Sequence, residues 1–365
     1  MNPDTDYTFL VGVGGIGTGT FWALEGNRTL ARNESRAGRI LPRRDFCKLH
    51  IIAHYVAVLT GRGRQGFAVV PVGKVGDDEP GRRMLALMAE AGMDTRFVAT
   101  TAEAPTMFST CFIYPDGDGG NVTTADSACA RLTPEDVERA VEAMPETGGV
   151  ALAAPEVPLP ARRRLLELAR QRRWPTAAAL NTADVAGAMA DGLLAMVDIL
   201  SVNRDEAAAI AGMDPGEDPV ALAEEAGRRL GRGNPSIRLC VTAGAAGAVG
   251  WEGGRIERTP AAAVEPVNTA GAGDATLAAL IVAEAADLPF ILPDRPGRSH
   301  LAERPLATAL DLGAILAGIS VTAEDTIHFG ADAEAILRLA EELGADATGL
   351  APALRKGKGP SPIGS

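Results

Sequence analysis

The sequence predicts an α/β protein built on a doubly wound, mostly parallel sheet with helices on both faces. Two observations carry this. From 149 to 243 the short apolar runs Gly149–Ala154, Thr176–Asn181, Val197–Asn203 and Ile237–Thr242 alternate with amphipathic segments. Strand–helix repetition of this kind requires a parallel sheet covered on both sides. Further on, Asn268 to Ile281 reads N-T-A-G-A-G-D-A-T-L-A-A-L-I, a Gly-Ala-Gly segment running into a small-residue helix with Asp274 at the junction. Ligands of such sheets bind beyond the carboxyl ends of the strands.

Composition narrows the class. At 365 residues, 46% hydrophobic and 22% charged, the chain suits a globular protein with a large core. A net charge of −12 argues against a general nucleic-acid or anionic-membrane surface. Cys47, Cys111, Cys129 and Cys240 are scattered without a C-x-x-C pair. They read as reduced thiols of a cytoplasmic protein, not as a zinc site or a disulfide framework. The N-terminus lacks the pattern of a signal peptide, and no apolar run approaches the ~18 residues of a membrane span.

The elements follow in order. Tyr7 to Val13 is the first buried strand, opening into Gly12-Val13-Gly14-Gly15-Ile16-Gly17. This matches G-x-G-x-x-G by letter, but a dinucleotide site also needs a following helix, a second strand and an acid about 20 residues on. Thr18–Glu25 is too short for that helix before Gly26, and residues 27–48 contain no apolar strand. Residues 26–48 instead carry seven basic side chains from Arg28 to Lys48, read by composition as a solvated loop. Leu49–Thr60 is a helix with an apolar face, and Phe67–Val75 is a strand. Asp77 and Asp78 precede Pro80 at the start of helix 79–91, which ends at Gly92. Thr106–Tyr114 alternates as a strand before the hairpin turn Asp116–Gly120. Thr133-Pro134-Glu135-Asp136 caps a helix. Trp251–Pro260 is a hairpin, Leu306–Thr322 a long Ala- and Gly-rich helix, and 350–365 a tail expected to be disordered.

The chemistry lies at Gly271–Asp274. Unused backbone N–H groups at a helix start, together with the helix dipole, attract an anion. Glycines remove the Cβ atoms that would keep a phosphate away. A carboxylate beside that hole can take a proton from an attacking hydroxyl, and hole plus base is what phosphoryl transfer to an alcohol requires. A Gly-rich turn capping a buried helix is the plainer reading of this segment alone.

Asn268–Asp274 resembles the D-T-x-G-A-G-D signature of the ribokinase-like (PfkB) carbohydrate kinase family, with Asn for the first Asp. Asn203-Arg204-Asp205-Glu206 resembles the family's N-x-x-E, Val241–Gly247 its V-T-x-G-x-x-G, and Gly73–Gly81 its G-x-V-G-x-D-x-x-G. The resemblance spans about residues 7–345. It implies a ribokinase-like fold over 1–349 with a small β lid from about 14–48 and 100–125. It implies Asp274 as general base and Gly271, Ala272 and Gly273 as the anion hole. Glu206 would organise Mg²⁺ and its waters, and Asn203 would face the nucleotide phosphates. Thr242, Gly244 and Gly247 would line the ATP groove, with Gly313 against the adenine. The implied activity is ATP- and Mg²⁺-dependent phosphorylation of a hydroxyl on a sugar or sugar-like molecule; lids in this family often pair, which leaves a homodimer as one of the open oligomeric states.

The resemblance departs in the half that reads the acceptor. The acid usually found after the first strand's glycines is missing, and Gly17-Thr18-Gly19-Thr20 stands there. Lys48-Leu49-His50 replaces a pair of glycines, and His54 stands near the family's sugar-contacting Asn. Guanidinium groups suit carboxylate or phosphate, so some of Asn33, Glu34, Arg36 and Lys48 are expected to contact a polar or anionic acceptor. His54 and Asn181 are further candidates. Asn268 replaces an acid that helps hold a monovalent cation, so K⁺ dependence is expected to be weak. Two other functions fit single features: a catalytically silent small-molecule binder of this fold, and an NAD(P)-dependent oxidoreductase resting on residues 12–17 alone.

Overall fold

The computed structural model describes residues 7–61, 67–116, 119–292 and 297–354. In chain order the strands are β1 (Phe9–Val13), β2 (Gly17–Leu24), β3 (Gly38–Phe46), β4 (Ala68–Gly76), β5 (Val98–Thr101), β6 (Met107–Ile113) and β7 (Gly119–Thr123). They continue with β8 (Gly149–Ala153), β9 (Thr176–Ala179), β10 (Ile199–Asn203), β11 (Arg238–Thr242), β12 (Ala248–Glu252) and β13 (Arg255–Thr259). The helices are α1 (Lys48–Leu59), α2 (Glu79–Glu90), α3 (Pro134–Glu142), α4 (Leu159–Gln171), α5 (Val185–Ala190) and α6 (Arg204–Ala211). After them come α7 (Pro219–Gly231), α8 (Ala272–Ala285), α9 (Ala309–Ser320), α10 (Ala333–Glu342) and α11 (Ala351–Leu354).

The large sheet runs β13-β12-β11-β10-β9-β8-β1-β4-β5, parallel except where β12 and β13 turn back at one edge. β1 shows why it is doubly wound. All five of its residues are buried. Leu10 joins the core on the α1, α8 and α9 side, while Phe9, Val11 and Val13 join the core under α3 and α4. A strand covered on both faces has no use for polar alternation, hence the continuous apolar run. α8 is buried nearly all round and packs between α1 and α9, so its starting turn is rigidly placed.

The small sheet runs β3-β2-β6-β7. β1 passes through Gly14 and Gly15 directly into β2, a strand and not a helix, so the letters of the dinucleotide fingerprint lack its geometry. The structure also corrects the reading of 27–48 as strandless, because β3 pairs antiparallel with β2 there. Its R-I-L-P-R-R-D alternation escaped notice because a two-sided lid strand carries arginines where a core strand would be apolar. β5, which overlaps the start of the expected lid segment, belongs to the edge of the large sheet beside β4. α1 presents no single apolar face: ten of its twelve residues are buried. The expected tail begins later than 350, since Ala353 and Leu354 are buried in α11; 355–365, like Gly117 and Asp118 of the expected hairpin turn, lie outside the described residues. Among the described residues, no helix is long and apolar enough to cross a membrane.

Candidate active site

A cleft of about 880 Å³ opens where β10 and β11 end and α8 begins. Asn203, Glu206, Thr242, Gly244, Gly247 and Asp274 all line it, and so do Gly271, Ala272 and Gly273. The parallel register sets Asn203 directly beside Thr242. Chain segments 70 residues apart therefore converge because consecutive strands end on the same edge.

Gly271 caps α8 with φ +86, a left-handed conformation. A Cβ there would lie 2.5 Å from the Thr326 carbonyl oxygen. That carbonyl cannot easily retreat, since Thr326 N donates to Arg44 O at 3.1 Å and its Oγ1 accepts from Phe46 N at 2.9 Å. Glycine is thus required for the turn that sets the first residues of α8 at the cleft, where the first N–H groups of a helix lack intrahelical acceptors, although Ala272 N reaches Thr269 O at 3.4 Å. Asn268 locks the approach: its Nδ2 donates to Glu324 O at 2.8 Å, and its Oδ1 accepts from Ala270 N at 3.1 Å. Gly247 is constrained in the same way, at φ +86 with a would-be Cβ 2.0 Å from Thr259 O.

Asn203 and Glu206 cap α6 reciprocally. Asn203 Oδ1 accepts from Glu206 N at 2.9 Å, and Glu206 Oε2 accepts from Asn203 N at 3.0 Å. The N-x-x-E spacing is therefore a capping box whose two side chains also face the cleft.

Asp274 is buried and paired with Lys48, whose Nζ lies 3.3 Å from Asp274 Oδ1. Burial pushes the Asp274 carboxyl above its ordinary range, with Lys48 pulling it partly back. The same carboxylate raises Lys48 well above the usual lysine value, so the ammonium stays charged. Lys48 N also donates to Glu156 Oε2 at 3.1 Å. Glu156 sits just past β8 with φ +74, and burial raises its carboxyl to about 7. Burial likewise raises Glu206, and raises Asp45, whose carboxylate accepts from Cys111 Sγ at 3.4 Å. Four carboxylates thus gather around one ammonium.

Other expected residues lie elsewhere. Glu34 accepts from Arg28 Nη2 at 2.7 Å and from Arg36 Nε at 2.9 Å and Nη2 at 2.6 Å; Arg36 also reaches the Arg28 carbonyl. Asn33, at φ +61, forms the turn of this ion-paired knot, and neither it, Glu34 nor Arg36 lines the cleft. Arginine prefers the nearest carboxylate, and the sequence supplies one two residues away. His54 is buried outside the cleft, its ring edge-on to Phe329 at 5.1 Å and to Tyr55 at 5.8 Å. Asn181 follows β9 at the start of a short turn, while its neighbours Ala179 and Leu180 line the cleft. Gly313 faces α8, where a Cβ would meet Thr276 Cγ2 at 3.1 Å; Ala314, Ala317 and Gly318 of the same helix are the ones at the cleft.

Sequence reasoning missed Glu156 and Asp45 and did not pair Lys48 with Asp274. For Glu156 a signal existed: A-A-P-E-V-P places an acid immediately past a parallel strand, where ligands bind. Asp45 stands opposite Gly19 across the β2–β3 pairing, so a carboxylate reaches from β3 a region where β2 has only glycine and threonine.

The profile of the pfkB family carbohydrate kinases matches residues 57–333. Fructokinase-1 of Oryza sativa subsp. japonica is 29% identical over 238 residues, 60% of this chain and 68% of that protein. The nucleoside kinase of Burkholderia thailandensis, solved with inosine, superposes with a TM-score of 0.67 at 16% identity, covering 92% of this chain and 99% of that one. Arabidopsis thaliana ribokinase, solved with ribose and ATP, gives 0.65 at 19% identity, covering 91% and 98%.

Proposed function

The chain belongs to the PfkB family of carbohydrate kinases, and from that membership we propose that it transfers the γ-phosphoryl group of Mg-ATP to a hydroxyl of a small uncharged polyol, with Asp274 as general base. The family itself gives the coarser activity: a phosphotransferase acting on an alcohol group of a small molecule, of the ribokinase-like kind that uses ATP. The observation that carries the finer reading is Asp274 in the first turn of α8, in one cleft with Asn203, Glu206 and Thr242.

Asp274 receives the acceptor proton as the hydroxyl oxygen attacks phosphorus. Backbone N–H groups at Gly271–Gly273 meet the charge that spreads over the transferring group. Asn203, Thr242, Gly244 and Gly247 border the nucleotide, and α9 closes the groove with Ala314, Ala317 and Gly318. Glu206 is placed to hold Mg²⁺, since one carboxylate with phosphates and waters is that ion's usual arrangement; bound there, the ion would neutralise phosphate charge.

The acceptor class follows from the charge inventory. An anionic acceptor, expected from the basic segment, loses its carriers because Arg28 and Arg36 are held by Glu34 and Arg44 by Asp325, while Arg32, Arg39 and Arg43 do not line the cleft. Around Asp274 stand Asp45, Glu156 and Glu206, which accept hydrogen bonds from hydroxyls and repel phosphates or carboxylates. A neutral sugar or nucleoside fits. Ile40, Phe108 and Val122 are exposed on the small sheet, which favours pairing with a second copy into the homodimer; sedimentation of the purified protein as a monomer at micromolar concentration would remove that part.

ADP release with Mg-ATP should be screened against neutral sugars, nucleosides and their phosphorylated counterparts. At least one neutral acceptor is expected to support turnover while its phosphate ester does not. ADP release with phosphorylated acceptors only would overturn the acceptor class. Tight small-molecule binding without ADP release from any of them would favour the silent-binder reading.

A further inference from the structure

Lys48 is the first residue of α1 and touches two other elements of the site. Its Nζ lies 3.3 Å from Asp274 Oδ1 at the start of α8, and its backbone N–H donates to Glu156 Oε2 at 3.1 Å after β8. α1 and α8 pack against each other, and α1 is buried on nearly every side, so the ammonium is delivered from a rigid scaffold. We propose that Lys48 is a positioning residue for the transfer: its ammonium holds the Asp274 carboxylate ionised and engages Oδ1, leaving the other oxygen to take the acceptor's proton. This rests on the kinase reading above.

The surroundings explain why a cation is needed. Facing Asp274 and Lys48 are Asp45 from β3, Glu156 from the turn after β8, Glu206 from α6 and Tyr55 from α1. Three of these are carboxylates, and each disfavours a further negative charge. Burial acts in the same direction on Asp274. A base must be unprotonated to work, and without a counter-cation burial and the neighbouring carboxylates would make Asp274 hold its proton more tightly. In the step itself the acceptor O–H bond breaks and the proton passes to Asp274. The freed electron pair forms the new P–O bond, and the bond from γ-phosphorus to the bridging oxygen breaks with its electrons leaving on ADP.

The test compares Lys48→Gln and Lys48→Arg by kcat/KM for the acceptor as a function of pH at saturating Mg-ATP. An opposite charge at this range lowers a carboxylate by roughly one to three pH units. Lys48→Gln is therefore expected to move the acid limb up by about that much, recovering activity at high pH with the KM for ATP unchanged. Lys48→Arg keeps the cation and is expected to keep the limb. A Lys48→Gln profile with the wild-type limb, merely scaled, overturns the proposal. If Lys48→Gln fails to fold, Lys48→Cys alkylated with bromoethylamine restores an ammonium at that point, the four native cysteines all being buried. Return of the wild-type limb on alkylation supports the role, and no change on alkylation refutes it. Absence of ADP release by the wild type with every acceptor would instead overturn the kinase reading.

Discussion

Replacing Asp274 by Asn removes the proposed base while keeping its shape. General-base help contributes typically ~10²–10⁴-fold, so kcat should fall by that factor, about 2.7–5.4 kcal/mol of transition-state stabilisation. Stability should hardly change, and the structure says why. The ion pair with Lys48 is lost, yet Asp45, Glu156 and Glu206 remain around the ammonium, so removing Asp274 does not leave a buried cation uncompensated. Against that loss, the neutral amide escapes the burial penalty that raises the carboxyl. The two effects offset, and the melting temperature should stay within about 2–4 °C of wild type. ATP binding should survive, because its groove is formed by the ends of β10 and β11 and by α9. The assays are coupled ADP release with a proven acceptor, calorimetric titration with ATP, and scanning calorimetry. Turnover within about threefold of wild type, in a folded variant that binds ATP, would refute the assignment of Asp274.

Three further outcomes are expected. Glu156, raised by burial to about 7, retains a proton in the fold at pH values where the unfolded chain has lost it, so its contribution to stability is present below the ordinary Glu value and is lost as pH rises through about 7. Thermal stability should therefore decline between pH 5 and 8, and Glu156→Gln should flatten that slope, in part because Asp45, Glu206 and Asp274 titrate with the same sign; an unaltered slope would exclude the effect. With both ends of its amide spent on Glu324 O and Ala270 N, Asn268 has little to offer K⁺, and saturable activation at low millimolar K⁺ would contradict this. Arg36→Ala should leave acceptor KM within about threefold, since Arg36 serves Glu34; a rise of tenfold or more would return the basic segment to the acceptor.

The parts legible in the sequence are those where local chemistry and global position coincide. Gly271, Asn203, Glu206 and Gly247 each satisfy a backbone need of a turn or helix start and also line the cleft, so their spacing carries both messages, with Asp274 and Thr242 fixed beside them at the start of α8 and the end of β11. The parallel strands announced themselves because burial on two faces leaves an unbroken apolar run. The acceptor side was illegible for the opposite reason. Glu156 belongs to no repeating pattern, and its value arises from a left-handed backbone and a contact with Lys48 more than 100 residues away in sequence. Asp45 stands among arginines, and only the β2–β3 register brings it opposite Gly19. The arginines drew attention by their number, yet each nearby acid claimed its own. His54 shows the same limit: on a helix buried all round, a polar residue need not face a site.

Taken together, the charges constrain the order of events. The cleft must receive a polyanionic nucleotide although Asp205, Glu206 and Asp274 line it, with Glu156 close by. Besides Arg204, which lines the cleft and donates to the Glu217 carbonyl, the cationic features built in are the start of α8, worth about half a charge, and Lys48, already committed to Asp274. Neither can offset several phosphate charges. In the proposed reaction Glu206 would hold a divalent ion brought with the nucleotide, and its carboxylate would then become an attraction. The same field acts on the acceptor in the opposite sense, because hydroxyls donate to carboxylates while a second phosphate group finds no cation left over. On the proposed reading one set of acids would separate the two substrates by charge: the nucleotide would enter with its own metal, and the acceptor would enter neutral.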